Sequence, residues 1–585
     1  MVPASAIIVT LLAVAGSPAP SATVPPFASP PPLPKVPVVA PGYRAPRIST
    51  PPASIVGVTQ QPFVGLTLQN AIGMALANNP DLQVARANGR IAAYQILAAQ
   101  GAYDVRLSIE PQYQYSAQAP QNAFFAGPNF GPIVQRTAAV NGSAQATLPN
   151  GQQFSVGLNG NQTYNNTTIN TFNPYYPTQF SASFTQPFGR GRNLTEQGHQ
   201  LQLAIINQST TRQQALTTVS GTVAQVENAY WDLVSAWRNV AIQEESLRTT
   251  IVQQRSNVRL ARQGANAPID VVQSNAQIAL FEEDVYSALQ NVAQLQNQLK
   301  LLILANPNDA IWNANLVPVT PALELPNVAP LPDLVTAALR QRPEVAGAGA
   351  ALRTAAENVR YAANQTKPQV DLQLGYQSNG FAGTEVPPGP FFQSSAQELI
   401  AINELIAAVN PTLPPSQQIP MLPAQNQTVP RYLVGGLSRS IANLLANRFP
   451  TYTAGVLVSF PIGDRTARAN LGIAQEQRRI AQVQEASTIA RVVSDVRNAL
   501  QSYQSALSRL RAATTAREAS EAVLASERRR FRAGESTTFL VLQREIEVAD
   551  ARGRELQAQT DLNKAVVELQ RSTGTILGAN NVTLP

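Results

Sequence analysis

The stretch LTLQNAIGMALANNPDLQVARANGRIAAYQILAAQG, residues 66–101, decides the fold because the chain contains its pattern twice. A second segment with the same helical spacing of small and apolar residues occupies 331–366, where Pro343 stands in the place of Pro80. Further along, RLARQGANAPIDVVQ (259–273) returns as RRFRAGESTTFLVLQ (529–543). Matches in the same order and at nearly constant separation indicate a duplication, so each half should build the same unit.

A very long helix is predicted in each half. Residues 193–262 contain no proline, and apolar residues recur there at alternating steps of three and four, which predicts a heptad seam. At about 1.5 Å per residue, such a helix is roughly 105 Å long, too long for the core of a compact domain. Shorter helical segments follow at 269–304 and 539–575, so each half should end in an antiparallel hairpin. The seam residues are Leu216, Val219, Val223, Val226, Tyr230, Leu233, Trp237 and Val240, and in the second half Ile489, Val493, Val496, Leu500, Tyr503, Leu507 and Leu510.

Four segments alternate apolar and polar residues over about ten positions, the length of a tilted strand in a membrane barrel. They lie at 105–115, 179–185, 370–377 and 452–460. A soluble β-sandwich could alternate in the same way. Aromatic residues near the strand ends, and polar rather than charged residues on the second face, favour a barrel with a wet lumen.

Four strands cannot close a barrel, and an open edge in lipid leaves backbone groups unpaired. The subunit should therefore share a barrel with copies of itself, and three copies would supply twelve strands. Two insertions, a hairpin at 138–159 and a segment at 379–450 with a short helix at 396–409, are expected at the end of the sheet away from the long helices. The hairpin could instead widen the barrel.

Composition excludes several classes of function. The 585 residues contain no cysteine and are only 13% charged, and the net charge of +7 is not gathered into the basic, aromatic-rich patches of a nucleic-acid-binding protein. Neither a catalytic motif nor a metal-binding or cofactor-binding motif is present, so the protein is predicted not to be an enzyme. The single histidine, His199, is expected on the surface, and Trp231 and Trp237 are expected to pack along the seam.

The predicted organisation follows from these segments. Residues 1–22 resemble a signal peptide that lacks a basic start, and 23–60 form a proline-rich extended tether. The first structural repeat covers 61–305 and the second covers 331–578. Residues 306–330 form an equatorial linker, and 579–585 form a C-terminal tail.

The motifs together resemble the outer-membrane efflux protein family, the TolC-like channels. The resemblance covers 66–578 and rests on the duplicated segments above, on FTQPFGRGR (184–192) and SFPIGDRTARANLGIA (459–474), and on the two glycine tips. It implies a mainly α fold with a β-barrel portion, in which duplicated β-β-α hairpin units form long antiparallel coiled coils. These coiled coils would make an α-barrel through the periplasm, below a transmembrane β-barrel shared by a homotrimer in outer-membrane lipid.

In this family the hairpin tips form the periplasmic gate, and the resemblance points to Asp270, Phe531, Leu540 and Gln543 as gate candidates. Asp270 stands where the first hairpin carries an acidic residue, whereas Leu540 and Gln543 replace two aspartates, Phe531 replaces a tyrosine and Ser536 an arginine. Closure is therefore expected to use an apolar ring of Leu540 with packing of Phe531, supplemented by Asp270 and nearby arginines. The alternative is that Leu540 and Phe531 only pack the turn.

The same tips are where the resemblance predicts docking of a periplasmic adaptor, also called a membrane fusion protein. The candidates are Arg262, Gly264, Arg532, Gly534 and Glu535. Both glycines also suit a turn with positive φ, and both arginines suit a helix C-terminus.

The expected function is a passive exit duct in the outer membrane of a diderm bacterium, with a long periplasmic extension. It would complete a tripartite efflux pump or a type I secretion system together with an adaptor and an inner-membrane transporter. A periplasmic coiled-coil scaffold protein without a pore is the alternative.

Overall fold

A computed structural model of the chain describes residues 62–121, 131–167, 170–264, 267–320, 328–387, 390–423 and 429–582. The signal peptide and the tether predicted for 1–60 lie outside these residues. The helices are α1 Leu68–Asn78, α2 Pro80–Gln100, α3 Glu196–Arg262, α4 Pro268–Ile303, α5 Leu331–Gln341, α6 Pro343–Gln365, α7 Pro390–Val409, α8 Leu437–Leu445, α9 Arg465–Arg532, α10 Thr538–Thr573 and α11 Ile576–Ala579. The strands are β1 Phe63–Leu66, β2 Arg106–Gln118, β3 Ile133–Thr147, β4 Gln153–Asn165, β5 Phe172–Pro187, β6 Asn315–Pro318, β7 Gln369–Glu385 and β8 Phe449–Ser459.

Each duplicated opening segment forms two helices rather than one. The break in the first copy falls at Asn79, whose side chain accepts a hydrogen bond from the Asp81 amide, and Pro80 begins α2. The second copy breaks at Arg342, before Pro343. Proline lacks the amide donor that a continuous helix needs, but it suits a first helical turn, so both prolines restart the helix.

The two long helices are present, with 67 residues in α3 and 68 in α9, and each returns through a 36-residue helix. In the first half the predicted seam is confirmed: Val226, Tyr230 and Leu233 are fully buried. In the second half the buried stripe is turned by about one position. Its centre is Val492, Val496, Ala499, Tyr503 and Ala506, whereas the predicted Ile489 is 36% exposed. Small alanines that carry no strong seam signal allow the close packing there.

A short second sheet ties the middle of the rod together. Strands β1 and β6 pair in parallel, and the Tyr230 hydroxyl donates a hydrogen bond to the Leu66 carbonyl beside them. Lys300 is buried and donates through Nζ to the carbonyls of Trp312 and Ala314. Asn580, which follows α11, donates a hydrogen bond to Glu227 of α3 in the same region.

The main sheet has six antiparallel strands in the order β2-β3-β4-β5-β7-β8. The insertion at 138–159 therefore adds two strands to the sheet. Its turn lies at the helical end, because β3 runs back beside β2 and the Asn193 amide of the segment leading to α3 donates to the Asn150 carbonyl. The prediction that this insertion lies at the far end was wrong, since a hairpin inserted after an outgoing strand must turn at the near end.

The six strands give the sheet two chemically different faces. Registers place the side chains of Leu107, Phe154, Phe180, Leu374 and Val456 on one face, here called the apolar face. Within the six described strands this face carries no carboxylate and one cation, Arg136. The opposite face is lined mainly by Gln, Asn, Ser and Thr, for example Ser108, Asn141, Ser155, Ser183 and Gln373.

His199 is buried, not exposed as predicted. It lies 6% exposed at the start of α3, where its ring stacks on Tyr361 of α6 with centroids 4.3 Å apart. Tyr361 also forms a hydrogen bond with Glu196. The contact between His199 and Tyr361 could not be predicted from the sequence, because α6 is remote along the chain. Trp231 and Trp237 pack as predicted: Trp231 is 2% exposed, and Trp237 donates to the Leu316 carbonyl.

Candidate functional site: the hairpin tips

Both hairpins turn at a glycine in the left-handed region of backbone space. Gly264 has φ of 74° and Gly534 has φ of 76°, values that residues with a Cβ rarely adopt. In the second hairpin the Gly534 amide donates to the Phe531 carbonyl and the Glu535 amide to the Arg530 carbonyl, which closes the end of α9. The predicted turn role of both glycines is confirmed.

Asp270 caps its own helix in the first hairpin. Its Oδ2 accepts from the Ala267 amide at 3.2 Å, and among the described residues no arginine pairs with it. Just below, Asn257 of α3 and Ser274 of α4 are both fully buried and joined by a hydrogen bond of 2.7 Å. The two helices of this hairpin are therefore joined by an uncharged hydrogen bond between an amide and a hydroxyl.

The gate candidates of the second hairpin are spread over different environments. Phe531 packs against the buried apolar cluster of Leu524, Val541 and Val548 between α9 and α10. Leu540 is half-buried in the first turn of α10, where its amide donates to the Thr537 hydroxyl, and Gln543 is exposed. Within one chain the structure thus does not gather Asp270, Phe531, Leu540 and Gln543 into one site.

The docking candidates Arg262, Arg532 and Glu535 are exposed beside the tip glycines. The Arg532 Nε donates to the Arg528 carbonyl at 3.2 Å, so this side chain also helps to cap α9. Both helix ends therefore present an exposed cation beside a glycine, which has no side chain.

Ion pairs near the tip of the second hairpin were not predicted from the sequence. Glu545 of α10 is 7% exposed and accepts from Arg528 of α9 at 2.8 Å, and Glu527 contacts Ser536 and Arg530. Burial raises the pKa of the Glu545 carboxyl, while Arg528 and the Thr250 hydroxyl of α3 oppose the shift. Only the pairing of α9 with α10 identifies Glu545 as the partner of Arg528, because the two residues lie on different helices.

A second ionic group crosses the same hairpin further from the tip. Arg517 Nε lies 2.6 Å from Glu555, and Arg517 and Arg552 share Glu521 at 2.9 and 2.8 Å. The second hairpin is therefore held by ion pairs and the first by neutral hydrogen bonds. This is the main chemical difference between the duplicated halves at their tips.

No metal-binding geometry accompanies these contacts in the described part of the chain. Over those residues, no group of three or more His, Asp or Glu side chains is placed to hold a metal. Among the described helices, none combines the length and the hydrophobicity that a membrane-spanning helix needs.

Comparison with known proteins supports the architecture. Residues 432–575, which include α8, β8, α9 and α10, match the family described as outer membrane efflux protein. No curated protein sequence matches the chain.

Solved structures resemble nearly the whole chain at low sequence identity. The outer-membrane channel OprN is 17% identical with a TM-score of 0.57, covering 92% of this chain and 98% of that one. CusC, whose structures concern transmembrane channel formation, is 17% identical with a TM-score of 0.58 over 92% and 99%. The Campylobacter jejuni CmeC outer membrane channel is 13% identical with a TM-score of 0.57 over 87% and 86%. The chain as a whole therefore has the fold of the TolC-like outer-membrane channels, and its residues 432–575 match the outer membrane efflux protein family.

Proposed function

We propose that three copies of this protein form an outer-membrane exit duct. The observation that carries the proposal is the six-stranded sheet, which has an apolar face, a polar face and two strands, β2 and β8, with one unpaired edge each. Leu107, Ile109 and Val456 on the apolar face are 65–77% exposed in a single subunit. Lipid would cover this face, and pairing of β8 with β2 of the next copy would satisfy both edges.

Three subunits of six strands make a barrel of eighteen strands, not the twelve expected from four strands each. Barrel diameter grows roughly in proportion to strand number, and barrels of about 16–18 strands leave an aqueous channel. The polar face then lines a hydrated lumen. The long hairpins continue this duct through the periplasm, and the energy for transport comes from an inner-membrane transporter joined by an adaptor.

Extraction and sizing test the duct against the periplasmic scaffold. The duct requires detergent for extraction, runs as a heat-modifiable trimer and conducts ions in planar bilayers with weak selectivity. A protein released by osmotic shock as a detergent-free monomer would support the scaffold and contradict the duct.

At the tips, we place closure on a ring of Leu540 from three subunits. The support is the chemistry of the position: Leu540 is half-buried in one copy and leaves apolar surface for neighbouring copies, while Phe531 fixes the turn behind it. In planar bilayers Leu540→Ala should raise the open fraction, whereas Val523→Ala, an exposed position on α9, should leave it unchanged. An unaltered closed state in Leu540→Ala would assign Leu540 to packing of the turn alone.

For the adaptor contact, we assign the exposed groups around the tip glycines. Arg262→Glu with Arg532→Glu should abolish co-purification with the adaptor from the native host while the trimer persists. Arg529→Glu is the matched control, because this exposed arginine lies three residues before Arg532. Retained adaptor binding in the double variant would remove the arginines from the interface.

A further inference from the structure

A short helix packs on the apolar face with polar side chains toward the sheet, the reverse of the usual arrangement in a soluble protein. Helix α8 rests on β5 and β7, and its buried residues are Ser440, Asn443 and Leu444. Ser440 shares a hydrogen bond of 2.8 Å with Thr178 of β5, and Asn443 Nδ2 donates to the Phe381 and Tyr432 carbonyls. The helix therefore turns polar groups toward the sheet.

The outward side of α8 carries an apolar stripe next to the exposed Arg439. Leu445 is 77% exposed and Ile441 is 43% exposed, and one helical turn separates them. In water such a stripe is unfavourable, whereas hydrocarbon removes the cost. The helix thus presents to its surroundings the same chemistry as the apolar face on which it lies.

The sheet under α8 is shaped to receive a helix. Along the apolar face of β7 the side chains are large from Val370 to Tyr376, and then small at Ser378, Gly380 and Ala382. Ser378 Oγ donates to the Leu444 carbonyl of α8. A Cβ at Gly380 would lie 2.2 Å from the Ser440 carbonyl oxygen, so only glycine permits this approach. Helix α8 replaces the large side chains that β7 lacks, and it continues the apolar band outward.

The surroundings of α8 are cationic. Residues 429–448 contain Arg431, Arg439 and Arg448 but no Asp or Glu, and all three arginines are exposed. Among the described residues none of the three has a carboxylate within ion-pairing distance. Arg448 instead lies over the Tyr432 ring at 4.7 Å.

The only charged residue on the apolar face of the six strands adds to this group at the same end of the sheet. Arg136 is exposed and sits between Tyr115 and Tyr164, about equally distant from the two rings at 5.9 and 6.0 Å. Aromatic rings and cations together above an apolar band are typical of a membrane interface, where the cations meet phosphate groups.

We propose that α8 is a lipid-binding anchor of the outer leaflet, with Ile441 and Leu445 among acyl chains and Arg431, Arg439 and Arg448 on anionic phosphate headgroups. This inference rests on the proposed barrel, because the apolar face must lie in lipid. It adds a part that the barrel itself does not require. The anchor lies over β5 and β7, away from the edges that join subunits, so it holds lipid and does not assemble the trimer.

Tryptophan quenching distinguishes the anchor from the barrel. Single substitutions Leu445→Trp on α8, Val456→Trp on the apolar face and Leu457→Trp on the opposite face are reconstituted into vesicles whose acyl chains carry bromine. The emission of the wild type, which has its tryptophans in the helical part, is subtracted. Leu445→Trp and Val456→Trp should lose about half or more of their added emission, as expected of side chains held in the acyl region, and Leu457→Trp should lose little.

The quenching results distinguish failure of the anchor from failure of the barrel. Quenching of Val456→Trp without quenching of Leu445→Trp would overturn the anchor and leave the barrel intact. No quenching of Val456→Trp would overturn the barrel, and the anchor with it.

The headgroup contact has its own measurement. Spin-labelled phosphatidylglycerol should associate with the wild type about two-fold or more in preference to spin-labelled phosphatidylcholine, because each arginine near a charged surface adds attraction. The triple variant Arg431→Gln, Arg439→Gln, Arg448→Gln should lose that preference. A matched triple variant at the exposed Arg478, Arg491 and Arg497 of α9 should keep it. Retention of the preference without Arg431, Arg439 and Arg448 would overturn the headgroup contact.

Discussion

Glu227 is a single buried carboxyl whose titration should be visible in the stability of the whole rod. It is 3% exposed on α3, and burial raises its pKa to about 7, although Asn580 donates to its Oε1 at 2.5 Å. An acid with a raised folded-state pKa holds its proton longer when folded. The stabilisation that protonated Glu227 gives the folded state is therefore fully present below about pH 4.5 and is lost as the pH rises toward 7.

Glu227→Gln should remove this loss. The variant should be more stable than the wild type at pH 8, by up to about 3 kcal/mol, and should show a flatter stability profile between pH 5 and 8. Thermal unfolding of the helical circular dichroism signal across that range measures the effect. Glu244→Gln, an exposed change on the same helix, should leave the profile as it is, and an equal change in both variants would contradict the assignment.

Gly380 tests the seat of α8 at the scale of one atom. Gly380→Ala places a methyl group against the Ser440 carbonyl and the Thr178 hydroxyl, so overpacking should cost about 1–3 kcal/mol. Gly455→Ala, on β8, meets no atom within 4 Å and should be neutral or slightly stabilising. Guanidinium unfolding of the detergent-solubilised trimer compares them, and equal midpoints would show that α8 moves aside freely.

At the scale of the element, the ion pair between Arg528 and the buried Glu545 should hold the end of the second hairpin. Arg528→Gln leaves Glu545 buried without its cation, and truncating one partner of a buried pair is costly. The hairpin should therefore open locally, with hydrogen exchange in the adjoining turns of α9 and α10 faster by about ten-fold or more, equivalent to about 1.4 kcal/mol. Arg529→Gln, one residue further along, is the control because Arg529 has no ion pair among the described residues. Unchanged exchange in Arg528→Gln would mean that the apolar cluster under Phe531 alone holds the tip.

These elements also mark how far sequence reasoning reaches. The helices, the tip glycines and the first seam follow from periodicity and from Pro80, Gly264 and their repeats, since local chemistry dictates them. The buried His199, the Arg528–Glu545 pair and the inverted helix α8 depend on partners remote along the chain. The sequence around Ser440 or Gly380 does not predict that these two residues pack against each other.

At the scale of the whole molecule, the hairpin β3–β4 sets the width of the proposed barrel. It can be removed without breaking the alternation of strand directions, because β2 and β5 are themselves antiparallel and both meet the loops at the far end of the sheet. Deletion of residues 132–166 would leave four strands per subunit, or twelve in a trimer. The turn residues Asn150 and Gly151 now pack on the segment before α3, so the deletion should also lower thermal stability.

End-on electron microscopy of the two trimers measures the consequence. Because diameter is roughly proportional to strand number, the deletion variant should have a barrel about two-thirds as wide as the wild type. The helical part should keep its width, since both hairpins are intact in the variant and serve as the internal standard. Equal barrel widths would exclude β3 and β4 from the wall. A narrower barrel on an unchanged helical rod would instead mean that the two halves of the duct set their widths independently, the β part by strand count and the α part by helix packing.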